Sequence, residues 1–128
     1  MFQYDADNSA LDEGVWRTYQ GSKFKIAHVS NIGFQRLLAK LQQPHRKKLE
    51  QGALDPQTSK EMLCEAISQK VLLDWQDVRD KSGERTPYSS AAGFKALMGD
   101  PEFRDFVSDV AASAANFRDE EVKELGKS

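Results

Sequence analysis

The chain has 128 residues, 39% of them apolar and 30% charged, with a formal net charge of −2. That is enough chain for one hydrophobic core, too apolar for a disordered polymer, and too near neutrality for the whole-molecule field to gather nucleic acid or an anionic membrane surface. A single cysteine, Cys64, excludes an internal disulfide, and no apolar run approaches the ~20 residues of a helical membrane span.

Charge is distributed unevenly. The first thirteen residues carry Asp5, Asp7, Asp12 and Glu13 with no base, whereas Asn31 to Leu49 carries Arg36, Lys40, Arg46, Lys47 and Lys48 with no acid. The two segments have the charges to attract each other. The N-terminal stretch has no sustained hydrophobic period, so residues 1–13 are read as a flexible acidic arm. It also lacks a basic and apolar leader, which makes a reducing, cytoplasmic setting the expectation.

Val15 to Tyr19 and Lys23 to Val29 are rich in aromatic and β-branched residues and flank the turn-forming cluster Gln20-Gly21-Ser22. This pattern predicts a β-hairpin, with Phe24, Ile26 and His28 on one face and Lys23, Lys25 and Ala27 on the other. Ser30-Asn31 then caps an amphipathic helix whose stripe is Phe34, Leu37, Leu38 and Leu41. Pro44 ends or kinks it, and Gly52 marks a second break.

Asp55-Pro56 supplies a capping acid before a proline at the first helical position. The stripe Leu63, Ala66, Ile67 and Val71 predicts a helix running to about Leu73, with Cys64 as a small buried thiol. Trp75, Val78, Thr86 and Tyr88 surround the polar group Asp80 to Glu84, which predicts a second short hairpin or an ordered loop. Ser89 or Ser90 caps a short helix carrying Phe94, Leu97 and Met98 and ending at Gly99. Asp100-Pro101 repeats the start signal ahead of Phe103, Phe106, Val107, Val110, Ala114 and Phe117. The Ala-rich stretch Ala111 to Ala115 has room for a neighbouring backbone. The sum is an α+β, predominantly α-helical domain over residues 14–118, with about four helices and an N-terminal hairpin. A flexible charged tail over 119–128 completes it.

Chemistry is harder to find. His28, His45 and Cys64 lack the spacing and the fourth ligand of a structural zinc set. His28 reads as a packed imidazole. Gly21-Ser22-Lys23 lacks the earlier glycine of a phosphate loop, and Asp5, Asp7 and Asn8 do not continue into a calcium loop. With no triad, metal cluster or cofactor loop, no catalytic, cofactor-binding or metal-ligating residue is assigned, and a non-enzymatic protein is expected. The most specific feature is the basic set Arg36, Lys40, Arg46, Lys47 and Lys48. Without aromatic stacking groups or a recognition helix, pairing with the acidic arm, with a partner's acidic helix or with water is favoured over nucleic acid.

Several segments together resemble the tail-assembly chaperones of long-tailed bacteriophages. They are Gly14 to Tyr19 with Lys23 to His28, Leu41 to Lys48, Val71 to Trp75, and Asp100 to Val107 with Asn116 to Arg118. The likeness spans roughly residues 14 to 118 and rests on overall pattern rather than on an invariant chemical signature. It implies a protein made in the host cytoplasm that binds the tape-measure protein, shields its apolar surface, and is absent from the mature virion. It also implies a longer form, made by translational frameshifting near the polar tail, that recruits tail-tube protein. Self-association belongs among the expected contacts, and a membrane does not. The rival expectations are a small phage or prophage regulator binding nucleic acid or a host protein, and a structural tail-completion protein retained in the particle.

Overall fold

A computed structural model describes residues 9–113 and Phe117. The elements in chain order are helix α1 (Ser9–Glu13), strands β1 (Val15–Tyr19) and β2 (Ser22–Ile26), helix α2 (Ile32–Gln42), a 3-10 turn (Gln43–His45) and helix α3 (Arg46–Glu50). Helix α4 (Pro56–Lys70), strand β3 (Leu72–Gln76) and helices α5 (Ser90–Gly99) and α6 (Pro101–Ala112) follow. The fold is α+β and helix-dominated, with the expected N-terminal hairpin.

The hairpin closes through the two residues Gln20 and Gly21, both at positive φ (49° and 82°), so that Tyr19 faces Ser22 across the strands. Left-handed backbone at both central positions matches the right-handed twist of the flanking strands, and glycine adopts it without a Cβ penalty. Before the hairpin, the end of the expected arm is a short helix. Its Leu11 carbonyl accepts the His28 amide at 2.8 Å, a contact between residues distant in sequence that local pattern does not encode. Asp5, Asp7 and the charged tail 119–128 lie outside the described residues.

Strand β3 completes an antiparallel sheet in the order β1-β2-β3. This corrects the expectation of a helix continuing to Leu73. The helix ends at Lys70 with Val71 as its C-cap, and Leu72 pairs with Ile26 while Asp74 pairs with Lys25, which leaves Leu73 as the extra residue of a β-bulge. The bulge lets Leu72 and Trp75, three apart, both be buried, where an unbroken strand would send them to opposite faces. The segment expected as a second short hairpin or an ordered loop is an ordered loop bearing one antiparallel bridge, Arg79 with Arg85. Within it the Asp80 carboxylate accepts from the Ser82 amide (2.9 Å) and the Glu84 amide (3.1 Å), and from the Ser82 hydroxyl. These bonds hold the Asp80 carboxyl below its ordinary pKa, the Ser82 hydroxyl contributing most.

Four helix starts follow from side chains that accept a backbone amide three residues on. They are Asn31 from Phe34, Asp55 from Thr58, Ser89 from Ala92 and Asp100 from Phe103. Asn31 is buried and also donates to the carbonyls of His28 (2.6 Å) and Lys70 (3.3 Å), joining the start of α2 to the end of α4. Helix α4 packs against α2 and α5, α5 against α6, and α5 and α6 reach β3 and β2 respectively. Phe24 is the hub of the aromatic core, with ring centroids 4.9 Å from Phe103 and 6.2 Å from Trp75, and Tyr19 stacks on Phe106 at 4.6 Å.

Two further expectations change. Leu63 is exposed (38%), because the buried face of α4 runs through Met62, Cys64, Ala66 and Ile67. Ala27, expected on the outer face of the hairpin, is buried. Strand β2 has ended, and the Ala27 amide donates to the Val71 carbonyl at 2.8 Å. At the other end of the chain, α6 stops at Ala112 with Ser113 extended; Phe117, the last member of the expected stripe, is helical and buried, and Ala114 lies outside the described residues. The Val29 amide donates to the Ala111 carbonyl at 3.0 Å, a close backbone approach at the small-residue stretch.

Candidate functional site

All five basic residues singled out by sequence are exposed, Arg36 and Lys40 on α2, and Arg46, Lys47 and Lys48 on α3. None forms an ion pair among the described residues. The helices differ in how they are anchored. Only Phe34 of α2 is buried, with Leu37, Leu38 and Leu41 half-buried beside it, and α3 has no buried residue.

Helical periodicity decides which bases act together. At 100° per residue, Ile32, Arg36, Ala39, Lys40 and Gln43 share the face of α2 opposite the Phe34–Leu41 stripe. The 3-10 turn at Pro44 redirects the chain, and on α3 the residues Arg46, Leu49 and Glu50 lie on one side. These two faces meet in an open groove of about 490 Å³ whose walls include Ala39, Lys40, Gln43, Arg46, Leu49 and Glu50. The structure therefore brings Lys40 and Arg46 together and leaves Arg36, Lys47 and Lys48 outside the groove. Helical spacing gives the reason for α3, since Lys47 and Lys48 fall about 100° and 200° around the axis from Arg46.

The sequence reading missed the apolar groups near these bases, Leu49 in the groove wall and Ile32 farther along α2, outside it. Ile32 is 63% exposed and Leu49 is 38% exposed. A signal for each exists. Ile32 lies off the apolar stripe of its own helix, and Leu49 is the single large apolar residue between Leu41 and Leu54.

The remaining candidates lie away from this groove, and of the His28 ring only Nδ1 is hydrogen-bonded among the described residues, Nε2 being buried without a partner. Cys64 is fully buried, and burial pushes its thiol above the usual range, with Arg104 and Lys60 opposing. His28 lies just beyond the end of β2 rather than within it. Its Nδ1 accepts the Ser30 amide at 3.0 Å and lies 2.7 Å from the Ser30 hydroxyl, and its ring meets Phe117 edge-on. A second depression of about 350 Å³ includes Trp75, Asp77, Arg85 and Thr86, but Asp77 and Arg85 pair with each other at 3.6 Å and the Trp75 indole donates to the Thr86 carbonyl. Among the described residues no group of three His, Cys, Asp or Glu side chains is placed to hold a metal ion, and no helix is long and apolar enough to cross a membrane.

A family model described as YdaY prophage protein matches residues 29–128. The matched span contains the groove and begins after the hairpin. No curated protein and no solved structure matches the chain.

Proposed function

The chain belongs to the YdaY prophage protein family, and from that premise we propose that it is a tail-assembly chaperone. In this reading it binds the long helical tape-measure protein during tail morphogenesis, keeps its apolar surface from aggregating, and helps to recruit tail-tube subunits. The observation that carries it is the α2–α3 face, where basic residues stand beside the exposed side chains of Ile32 and Leu49, on the outer side of α2 and on α3, which has no buried residue. A helix-in-groove contact needs such a combination of apolar anchors and a charged rim, and needs no catalytic group. The protein then works without a cofactor, in the host cytoplasm, and leaves before the particle is finished. A frameshifted longer form would supply the contact to the tail tube.

Co-expression with the tape-measure protein of the same prophage tests this. Tape-measure protein that is insoluble alone is expected to enter the soluble fraction as a complex. A fraction that stays insoluble contradicts the reading. Mass spectrometry of purified particles separates the chaperone from a tail-completion protein, which would be retained. A second reading, a regulator that binds nucleic acid, draws on the same exposed bases; retention on duplex DNA that falls steeply with salt would favour it.

A further inference from the structure

We propose that the groove between α2 and α3 receives an acidic amphipathic helix, with Lys40 and Arg46 pairing its carboxylates and Leu49 contacting its apolar side. The inference deepens the chaperone reading, and rests on it for which protein carries that helix.

Charge complementarity chooses the occupant. Between Asn31 and Leu49 the chain has five basic residues and no acid, and the acid that lines the groove is Glu50 at its rim. Size chooses a helix. The α2 wall of the groove, Ala39 to Gln43, continues back along the exposed face to Ile32, about 16 Å and three helical turns in all, and repeats at the spacing at which one helix meets another. Ala39, in the middle of that face, carries only a methyl group, so a partner backbone can come close between Lys40 and the chain beyond Pro44. Leu49 offers an apolar anchor in the groove, and Ile32 a second one outside it, about two turns before Lys40 on α2.

The same features disfavour a nucleic acid in the groove. A phosphate backbone gains little from Leu49 and is repelled by the Glu50 carboxylate, whereas a protein helix uses the apolar contact and can set a basic residue against Glu50. Of the three bases outside the groove, Lys47 and Lys48 on α3 provide an internal control. A diffuse basic field would use all five equally, and a built groove uses Lys40 and Arg46.

The test is fluorescence anisotropy on the full chain with three labelled probes. They are a synthetic amphipathic peptide with Glu on one face and Leu on the other, its Glu→Gln twin, and a short DNA duplex. The wild-type chain is expected to bind the Glu peptide about tenfold or more tighter than the Gln twin. The double variant Lys40→Glu/Arg46→Glu should lose that preference, while Lys47→Glu/Lys48→Glu keeps most of it. Leu49→Ser should weaken both peptides alike. Unchanged thermal melting of these exposed variants shows that the fold persists. Equal losses from the two double variants, or tighter binding of the duplex than of the Glu peptide, would overturn the proposal. If the groove variant still solubilises the tape-measure protein, the groove assignment fails and the chaperone reading stands. If the wild-type chain takes the peptide but never the tape-measure protein, the chaperone reading fails and the groove stands.

Discussion

The Tyr88 hydroxyl donates to the Ser68 carbonyl at 2.9 Å and has the Leu72 carbonyl as a second acceptor. One side chain from the loop before α5 thus closes the last turn of α4 onto the first residue of β3. Its ring also meets Trp75 at a centroid distance of 5.2 Å, edge to face. Helix C-terminal carbonyls have no intrahelical partner, so this phenol meets a need that the helix itself leaves open. Tyr88→Phe keeps the ring and deletes the donor. We expect a loss of about 1–2 kcal/mol, read as a lower urea midpoint at unchanged slope. A midpoint equal to the wild type would show that the bond adds nothing net.

Stability should also fall in alkali. Burial is the main force raising the Tyr88 pKa above its usual value near 10, with the Asp74 charge adding and a hydrogen bond from Ser90 opposing, and burial likewise raises Cys64 above about 9. The folded state therefore holds these protons more tightly than the unfolded chain. Their contribution is complete below the unfolded pKa values and is lost as pH rises from about 9 through the folded values. Urea midpoints measured from about pH 8 to pH 11 should decline, and Tyr88→Phe should make the decline shallower above pH 10. A flat profile would contradict the assignment.

Gly14 joins α1 to the hairpin at φ +87°, and a Cβ there would stand 3.1 Å from the Ile26 carbonyl carbon and oxygen. Backbone cannot yield as a flexible side chain can. Gly14→Ala combines positive φ with that contact and should cost about 1–3 kcal/mol. Thermal unfolding checks it, and a cost near zero would mean that the α1–β1 junction relaxes freely.

Leu72→Ala should cost about 2–5 kcal/mol, because Leu72 is fully buried, whereas Leu63→Ser, at a side chain 38% exposed on α4, should cost less, about 1 kcal/mol. Denaturant titration of both variants reads the difference; equal losses would contradict the burial of α4 and β3 described above.

That contrast shows what the sequence could carry. Caps at Asn31, Asp55, Ser89 and Asp100 were legible because each bonds an amide three residues away, and the turn at Gln20-Gly21 because its dihedral demand is local. Strand β3 was not legible. It follows α4 with no intervening loop, and the bulge at Leu73 spoils the two-residue period, so Val71 to Leu73 reads as more helix. Leu63 was misplaced because it lies four residues before Ile67, while the neighbours of α4 cover the side with Met62 and Ala66. At the candidate site the charge run Arg46 to Lys48 was plain. Which bases share a groove was not, since that depends on how the turn at Pro44 sets α3 against α2.

The chaperone reading meets its most direct test in the aggregation of the tape-measure protein as it is diluted from denaturant, followed by light scattering with the chain present. Scattering is expected to be suppressed by the wild-type chain near equimolar ratio. Scattering that rises as fast with the chain as without it would contradict the account.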